Sequence, residues 1–187
     1  GIIIGGEFSS SNIDLENGMS IKNNSDIWYK NNLYNDAIII KYNINGEYEW
    51  AKGIGGNKSD YINSIAETVD SGIIVGGYTD SRSIDFENGI VLKNEVNSND
   101  CGMIIKYNAN GECEWAKSIG KGECYSVINS VEGTSDGGYV VGGYFKGTNI
   151  NLENSIILKS TSFEAGMIIK YNVNGECEWA KSISGDG

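Results

Sequence analysis

Pairs of acidic residues spaced two positions apart are the first feature of this sequence that could do chemistry. The pairs are Asp14 with Glu16 and Asp85 with Glu87. Because side chains two apart on a strand share a face, each pair could hold Ca²⁺ through carboxylate oxygens or act as general acid and base. The matching positions of a third copy are Asn151 and Glu153, and none of the copies continues into a calcium-loop pattern. We therefore predict solvated charges at strand edges, which also discourage unwanted strand pairing.

The chain contains no histidine. Ser-His-Asp and Cys-His catalytic groups are thereby excluded, and the common zinc sites are disfavoured. Gly-Gly pairs beginning at Gly5, Gly76 and Gly142 lie inside apolar runs without a following Lys-Ser/Thr, so they indicate close backbone approach rather than phosphate binding. We predict no catalytic residue, no metal ligand and no cofactor, and hence no enzyme.

A second set of acids is repeated without change. Glu-x-Glu follows an Asn-Gly turn three times, at Glu47/Glu49, Glu112/Glu114 and Glu176/Glu178. Identical repetition favours a structural role, and we predict cross-strand pairing with Lys41, Lys106 and Lys170.

The cysteines stand at positions that also accept other residue types. Cys113 and Cys177 share the repeat position of Tyr48, and Cys101 is matched with Ala37 and Ala165. Such exchange is typical of residues that fill space, so we predict buried free thiols. Equivalent positions of neighbouring repeats point the same way, so a disulfide between Cys113 and Cys177 is not expected.

The segment that differs most between repeats is the best candidate for binding. It reads "NNSDIWYKNNLYND" from Asn23, "NEVNSND" from Asn94 and "STSFEA" from Ser160. The first and longest version holds Trp28, Tyr29 and Tyr34, whose rings beside Asn and Asp suit a carbohydrate or protein ligand. The alternative is that these rings fold back onto their own hairpin.

An internal repeat must position all of these residues. Trp50, Trp115 and Trp179 recur about every 64 residues within "EWAK", and three further blocks recur in fixed order. These blocks are "YINSIAETVDSG", "GIIVGGYT" and "GMIIKYNANGE" with their variants. Short runs rich in Ile, Val and Tyr between Gly, Asn and Asp predict strands joined by tight turns. Four antiparallel strands per unit describe one propeller blade, in which Trp fills the same gap against the next blade.

Between the second and third strands of each unit, alternation around "ENG" predicts an inserted β-hairpin. The copies are "NIDLENGMSIKN", "SIDFENGIVLKN" and "NINLENSIILKS", the last with Ser155 in place of Gly. With the "WAKSIG" motif, this pattern resembles bacterial β-propeller repeats of the SBBP type along essentially the whole chain. The resemblance implies a propeller and a bacterial, often exported, protein, which places it at the cell surface or outside the cell. It implies no activity.

The predicted fold is therefore all-β, a partial β-propeller of about three four-stranded antiparallel blades, each with an inserted hairpin. We assign blade 1 to residues 1–56, blade 2 to 57–120 and blade 3 to 121–187; blade 1 lacks its first strand. Closed propellers have at least about four blades. The chain is thus expected to be a fragment of a longer propeller, or else to self-associate through exposed blade edges.

The net charge of −11 argues against nucleic acid or an anionic membrane as partner, and no apolar run is long enough for membrane insertion. The function expected from the sequence is a non-enzymatic interaction module of a secreted or surface protein, with glycan or protein recognition by variable loops. One alternative is a hydrolase or lyase acting on polysaccharide, which would need an acid cluster in a single blade. Another is a purely structural, self-assembling repeat element.

Overall fold

A computed structural model describes residues 1–25, 28–29, 32–94, 100–120 and 125–185, and at residues 17, 28, 29 and 32 it describes the backbone alone. The described residues form β-strands joined by turns and three short 3₁₀ segments at Glu16–Gly18, Glu87–Gly89 and Glu153–Ser155. None of these helical segments is long and apolar enough to cross a membrane.

The strands are numbered in chain order. They are β1 (Ile2–Phe8), β2 (Asn12–Asp14), β3 (Ser20–Lys22), β4 (Trp28–Tyr29), β5 (Asn32–Leu33), β6 (Asp36–Tyr42), β7 (Tyr48–Ile54), β8 (Asp60–Glu67), β9 (Ile73–Thr79), β10 (Ser83–Asp85), β11 (Val91–Lys93), β12 (Cys101–Tyr107), β13 (Cys113–Ile119), β14 (Tyr125–Gly133), β15 (Tyr139–Lys146), β16 (Asn149–Asn151), β17 (Ile157–Lys159), β18 (Glu164–Tyr171) and β19 (Cys177–Ile183).

Three antiparallel sheets follow one another along the chain. The first has the order β1-β6-β7, the second β8-β9-β12-β13 and the third β14-β15-β18-β19. Hairpins β2–β3, β10–β11 and β16–β17 separate the second and third strands of each unit, and the pair β4–β5 lies in the first unit's longest loop. The predicted all-β architecture is confirmed, and within the described residues the first sheet has three strands where the other two have four. The division into blades at residues 1–56, 57–120 and 121–187 and the membership of a longer propeller stay predictions.

Glycine sets the turn between the last two strands of each sheet. Gly46, Gly111 and Gly175 have φ of 80°, 77° and 75°, in the left-handed region where glycine meets no steric penalty. In each sheet the strand register also shifts by one residue next to this turn, as between Lys106 and Tyr107. The repeated "NGE" therefore specifies a turn with a bulge of fixed geometry.

The hydrophobic core lies between the sheets. Along β9, Ile73 and Val75 belong to the cluster shared with the first sheet, whereas Ile74 belongs to the cluster shared with the third. Every residue of β12 is buried. Both faces of the second sheet are thus covered by its neighbours, which is how blades pack.

Candidate functional site

The repeated tryptophans lie in the joints between neighbouring sheets. The ring of Trp50 on β7 lies against the β12–β13 turn of the next sheet, where a Cβ on Gly111 would approach the ring to 2.7 Å. The indole N–H of Trp50 also donates to the carbonyl of Ala109 over 3.4 Å. Trp115 and Gly175 repeat this arrangement at the next joint, again at 2.7 Å. Each joint therefore consists of a ring from one sheet and a glycine turn from the next.

In each four-stranded sheet, a buried lysine forms ion pairs with two carboxylates at the end where its last two strands are joined by a turn. The ammonium of Lys106, 1% exposed, lies 3.0 Å from the carboxylates of Asp70 and Glu114, which belong to the β8–β9 turn and to β13. The corresponding pairs elsewhere are Lys170 with Asp136 at 3.0 Å, Lys170 with Glu178 at 2.9 Å and Lys41 with Glu49 at 3.2 Å. The predicted cross-strand pairing is confirmed for the second glutamate of each Glu-x-Glu.

The glutamates of the inserted hairpins bridge neighbouring sheets. Glu87 lies 2.7 Å from Lys52 of the first sheet, and Glu153 lies 2.7 Å from Lys117 of the second. The expectation that Asp85 and Glu87 project from one strand face is wrong, because β10 ends at Asp85 and the chain turns at Glu87. Glu87 and Glu153 therefore connect neighbouring sheets.

The loops that differ between repeats lie at the edge of the sheets where β6, β8 and β12 begin, and we call this edge the variable rim. It carries Tyr34, Asp36, Asp60 and Arg82. Tyr34 is half-buried, and its carbonyl accepts a hydrogen bond from the Asn23 side chain over 2.9 Å. The backbones of Trp28 and Tyr29 pair with Leu33 and Asn32, while their side chains lie outside the described residues.

A polar cleft of about 470 Å³ opens at the variable rim between the first and second sheets. Its lining residues are Asn24, Gly55, Gly56, Asn57, Arg82, Ser83 and Asp85. Arg82, the chain's one arginine, is exposed and offers donors to a carboxylate or to hydroxyl groups. The cleft therefore combines a cation, amides and an acid beside the longest variable loop.

Two fully buried carboxylates hold the walls of this cleft. Asp36 accepts a hydrogen bond from the backbone N–H of Asn24 over 2.6 Å, and Asp60 accepts one from the N–H of Gly56 over 2.9 Å. Thr79 and Ser81 also donate to Asp60. Among the described residues, Oδ1 of Asp36 has no hydrogen-bond partner.

Burial makes these acids hard to ionise. It raises the pKa of Asp36 to about 7, with the nearby Asp60 adding to the effect. It also raises the pKa of Asp60 to about 6 although several donors oppose it. At the same rim, burial and a hydrogen bond with Asp100 raise the pKa of Asp80 to about 7. Carboxyl groups therefore titrate near neutral pH beside the cleft.

Comparison with known proteins gives one informative likeness. No known family model matches the chain. In an alignment that covers 71% of its length, the chain is 31% identical to an uncharacterized WD repeat-containing protein, L264, of Acanthamoeba polyphaga mimivirus. The alignment covers 10% of that relative, so the chain spans about a tenth of its length. Together with the stacked antiparallel sheets, this decides the class. The chain is a β-propeller-like repeat protein.

Comparing the internal repeats of this propeller-like protein did not reveal its buried acids, Asp36 and Asp60. The structure aligns Cys101 with Asp36, not with Ala37, because Lys41 and Lys106 take the same place in their sheets. Asp36 is then a carboxylate at a position where the second unit has cysteine. Matching the repeats on their lysines would have revealed this isolated acid.

The remaining sequence predictions concern sulfur and metals. Cys113 and Cys177 are buried thiols without a disulfide, as predicted, and burial raises the pKa of Cys113 to about 12. Its sulfur is therefore protonated and unreactive at neutral pH. In the described residues of this propeller-like protein, no cluster of three or more His, Cys, Asp or Glu has the arrangement of a metal site.

Proposed function

We propose that this propeller-like repeat protein is a non-enzymatic interaction scaffold that recognises its ligand at the variable rim between the first and second sheets. One observation carries the proposal: the joints repeat from unit to unit, whereas the rim differs. Trp–Gly contacts and Lys–Glu pairs recur, but Arg82, Asp36 and the loop from Asn23 to Asn35 belong to single units. A rigid scaffold with unit-specific loops is the usual basis of recognition.

The chemistry of the rim favours a polar ligand with flat apolar surfaces, namely a glycan or a protein segment. The cleft offers Arg82, Asn24 and Asn57 as hydrogen-bonding groups. Trp28 and Tyr29, on the adjacent loop, are the candidate stacking residues. Sugars combine hydroxyl groups with apolar ring faces, so both halves of the surface would be used.

The test compares rim variants with an opposite-rim control on a glycan array and in a protein-binding screen. We expect Trp28→Ala/Tyr29→Ala and Arg82→Ala each to weaken a detected interaction at least about tenfold. Val69→Ala, on the exposed β8–β9 turn at the other end of the sheets, should leave it unchanged. Equal binding by all variants would show that recognition lies elsewhere.

A polysaccharide-acting enzyme is the second candidate, because the structure does place acids of raised pKa at a single joint. Asp36 and Asp60 are fully buried, however, so a substrate has no access to them. We expect no release of reducing ends from polysaccharides incubated with the protein. Release that Asp60→Asn abolishes, with folding intact, would favour the enzyme.

We include in the proposal a secreted or surface location in a bacterium. It is based on the resemblance of the repeats to bacterial β-propeller repeats of the SBBP type. The parent reading frame is the direct test, since a signal peptide or surface anchor upstream or downstream would establish export. A purely structural repeat element would show ordered self-association together with no ligand in either screen.

A further inference from the structure

The outer face of the first sheet exposes apolar residues whose counterparts are buried. Ile2 and Ile4 on β1 are 53% and 50% exposed, whereas Ile73 and Val75, at the same positions of β9, are 2% and 0% exposed. The hairpins repeat the contrast. Ile84 and Leu92 of the second hairpin are buried in the joint with the first sheet, while Ile13 and Ile21 of the first hairpin are only half-buried. The outer face of the first sheet therefore resembles the face of the second sheet that packs against the first.

The outer face of the third sheet shows the converse pattern. Ile183 is 63% exposed, whereas Ile54 and Ile119, at the same position, are 0% and 2% exposed. Trp179 is 43% exposed, although Trp50 and Trp115 each lie against a glycine turn. The outer face of the third sheet therefore resembles the faces of the first and second sheets whose tryptophans pack against the next sheet.

A matching glycine turn lies open on the first sheet. Gly46 corresponds to Gly111 and Gly175, has φ of 80°, and its Cβ direction meets no atom within 4 Å. At the two internal joints that space holds a tryptophan ring. The turn therefore has the shape that accepts Trp179.

The charges of the two outer faces are complementary as well. Glu16 corresponds to Glu87 and Glu153, which pair with Lys52 and Lys117. Lys181 occupies the position of those lysines in the third sheet. Within the part of the chain that the structure describes, neither Glu16 nor Lys181 forms an ion pair. One face thus carries the unmatched acid and the other the unmatched base.

We propose that the outer face of the third sheet of one molecule docks onto the outer face of the first sheet of a second copy of this chain. Trp179 packs against the turn of Gly46, and Lys181 pairs with Glu16. Ile183 covers the apolar surface that includes Ile4. Because the contact is head-to-tail, copies close into a ring or extend as a filament.

The joint between copies is weaker than the internal joints. At the first internal joint, Gly5 faces Ile62 and Ile65 of β8, the first strand of the second sheet. The first sheet has no such strand in its described residues, and the corresponding Gly142 of the third sheet has nothing within 4 Å of its Cβ direction. Association is therefore expected to depend on concentration and to be reversible.

Zero-length carbodiimide crosslinking tests the contact directly. A mixture of ¹⁴N- and ¹⁵N-labelled protein should give an intermolecular Glu16–Lys181 crosslink whose yield rises with concentration. The Glu87–Lys52 and Glu153–Lys117 crosslinks are the internal controls, because they form within one molecule at every concentration. Intermolecular crosslinks spread over other surface pairs, without Glu16–Lys181, would overturn the proposal.

Sedimentation velocity of charge variants gives the second test. Glu16→Lys and Lys181→Glu should each weaken association about fivefold or more, since like charges then meet. The double variant, and an equimolar mixture of the two single variants, should restore it. Lys93→Glu, on the hairpin of the second unit, makes the same charge change as Lys181→Glu but lies away from both outer faces. This control variant should associate like the wild type.

The apolar contact is tested by Trp179→Ala. This variant should lose at least about tenfold in association while keeping the unfolding midpoint of the monomer. Val91→Ala, at a similarly exposed apolar position (41%), should associate normally. A wild-type protein that stays monomeric up to about 1 mM, where weak contacts of this size become measurable, would contradict a second copy as the occupant and leave a covalently linked further blade as the alternative.

Discussion

At the scale of single residues, Lys106 shows how a charge is kept inside this protein. Its ammonium donates to Asp70, to Glu114 and to the carbonyl of Tyr107, all at 3.0 Å. Three elements are thereby connected at one point. Lys41 in the first sheet is half-buried and has Glu49 and the carbonyl of Ala109 as partners instead, at 3.2 and 3.3 Å.

We expect Lys106→Met to destabilise the protein more than Lys41→Met. The first change removes a buried cation with three acceptors and should lower the free energy of unfolding by about 2–4 kcal/mol. The second removes a more exposed pair and should cost about 1 kcal/mol or less. Urea denaturation monitored by tryptophan fluorescence measures both, and equal losses would contradict this ranking.

The carboxyl groups make stability depend on pH in two opposite ways. Asp36 and Asp60 have raised pKa values of about 7 and 6, so the folded state binds more protons than the unfolded state between about pH 4 and 7. Their contribution to the free energy of unfolding therefore declines as pH rises through that range. Burial works to raise the pKa of Asp70, but hydrogen bonds from Thr68 and Lys106 hold it at about 2. Its contribution is lost as pH falls below about 4.

Asp36→Asn should flatten the alkaline side of this profile. Because the variant has no carboxyl group to ionise at that site, its melting temperature should fall less between pH 5 and pH 8 than that of the wild type. Asp14→Asn makes the same substitution at an exposed position and is the matched control. Differential scanning calorimetry at several pH values tests this, and parallel profiles for Asp36→Asn and wild type would refute the role of Asp36.

At the scale of elements, the inserted hairpins depend on residues that tolerate positive φ. In the second hairpin Asn88 and Gly89 have φ of 67° and 75°, and in the third Asn154 and Ser155 have φ of 57° and 60°. The Gly-to-Ser difference noted in the sequence therefore falls at a left-handed position. A serine there carries a steric cost that glycine does not.

Ser155→Gly should stabilise the third hairpin and raise the free energy of unfolding by about 0.5–1 kcal/mol. The reciprocal change, Gly89→Ser in the second hairpin, should lower it by a similar amount. Thermal unfolding of the two variants beside the wild type measures the effect. Destabilisation by Ser155→Gly would show that its side chain makes a contact that outweighs the strain.

At the scale of the whole molecule, the middle sheet is the best protected. Its faces are covered on one side by the cluster containing Ile39 and Met103 and on the other by the cluster containing Ile104 and Val141. Among the described residues, the first and third sheets each have one face that is covered by a neighbouring sheet. In a stack of repeats, stability depends on such contacts between nearest neighbours.

Hydrogen–deuterium exchange should therefore be slowest in β12 and faster in β6 and β18. Each of these three strands is hydrogen-bonded to a neighbour on both sides, so the difference reports the packing of the sheet faces rather than the number of strand partners. Mass spectrometry of peptides covering these strands at low protein concentration measures it. Uniform protection would mean that the three sheets unfold as one unit.

The sequence predicted some residues of the site and missed others. The pairing of Lys106 with Glu114 was predicted from the identical repetition of the Glu-x-Glu acids, and the fold was predicted from the internal repeat. Asp36 was missed because one shifted alignment placed Cys101 opposite Ala37. The bridge from Glu87 to Lys52 was missed because it joins residues of different repeats. Trp28, Tyr29 and Tyr34 stay a prediction as ligand-binding residues.

The sequence by itself determined the strands, their turns and their order, because alternation, glycine positions and repeat spacing act over a few residues. The tertiary structure decided which side chains meet across a joint and which carboxyl groups lose contact with water. Those properties depend on how one sheet lies against the next. Two identical tryptophans can therefore be covered in one place and exposed in another, since only their neighbours differ.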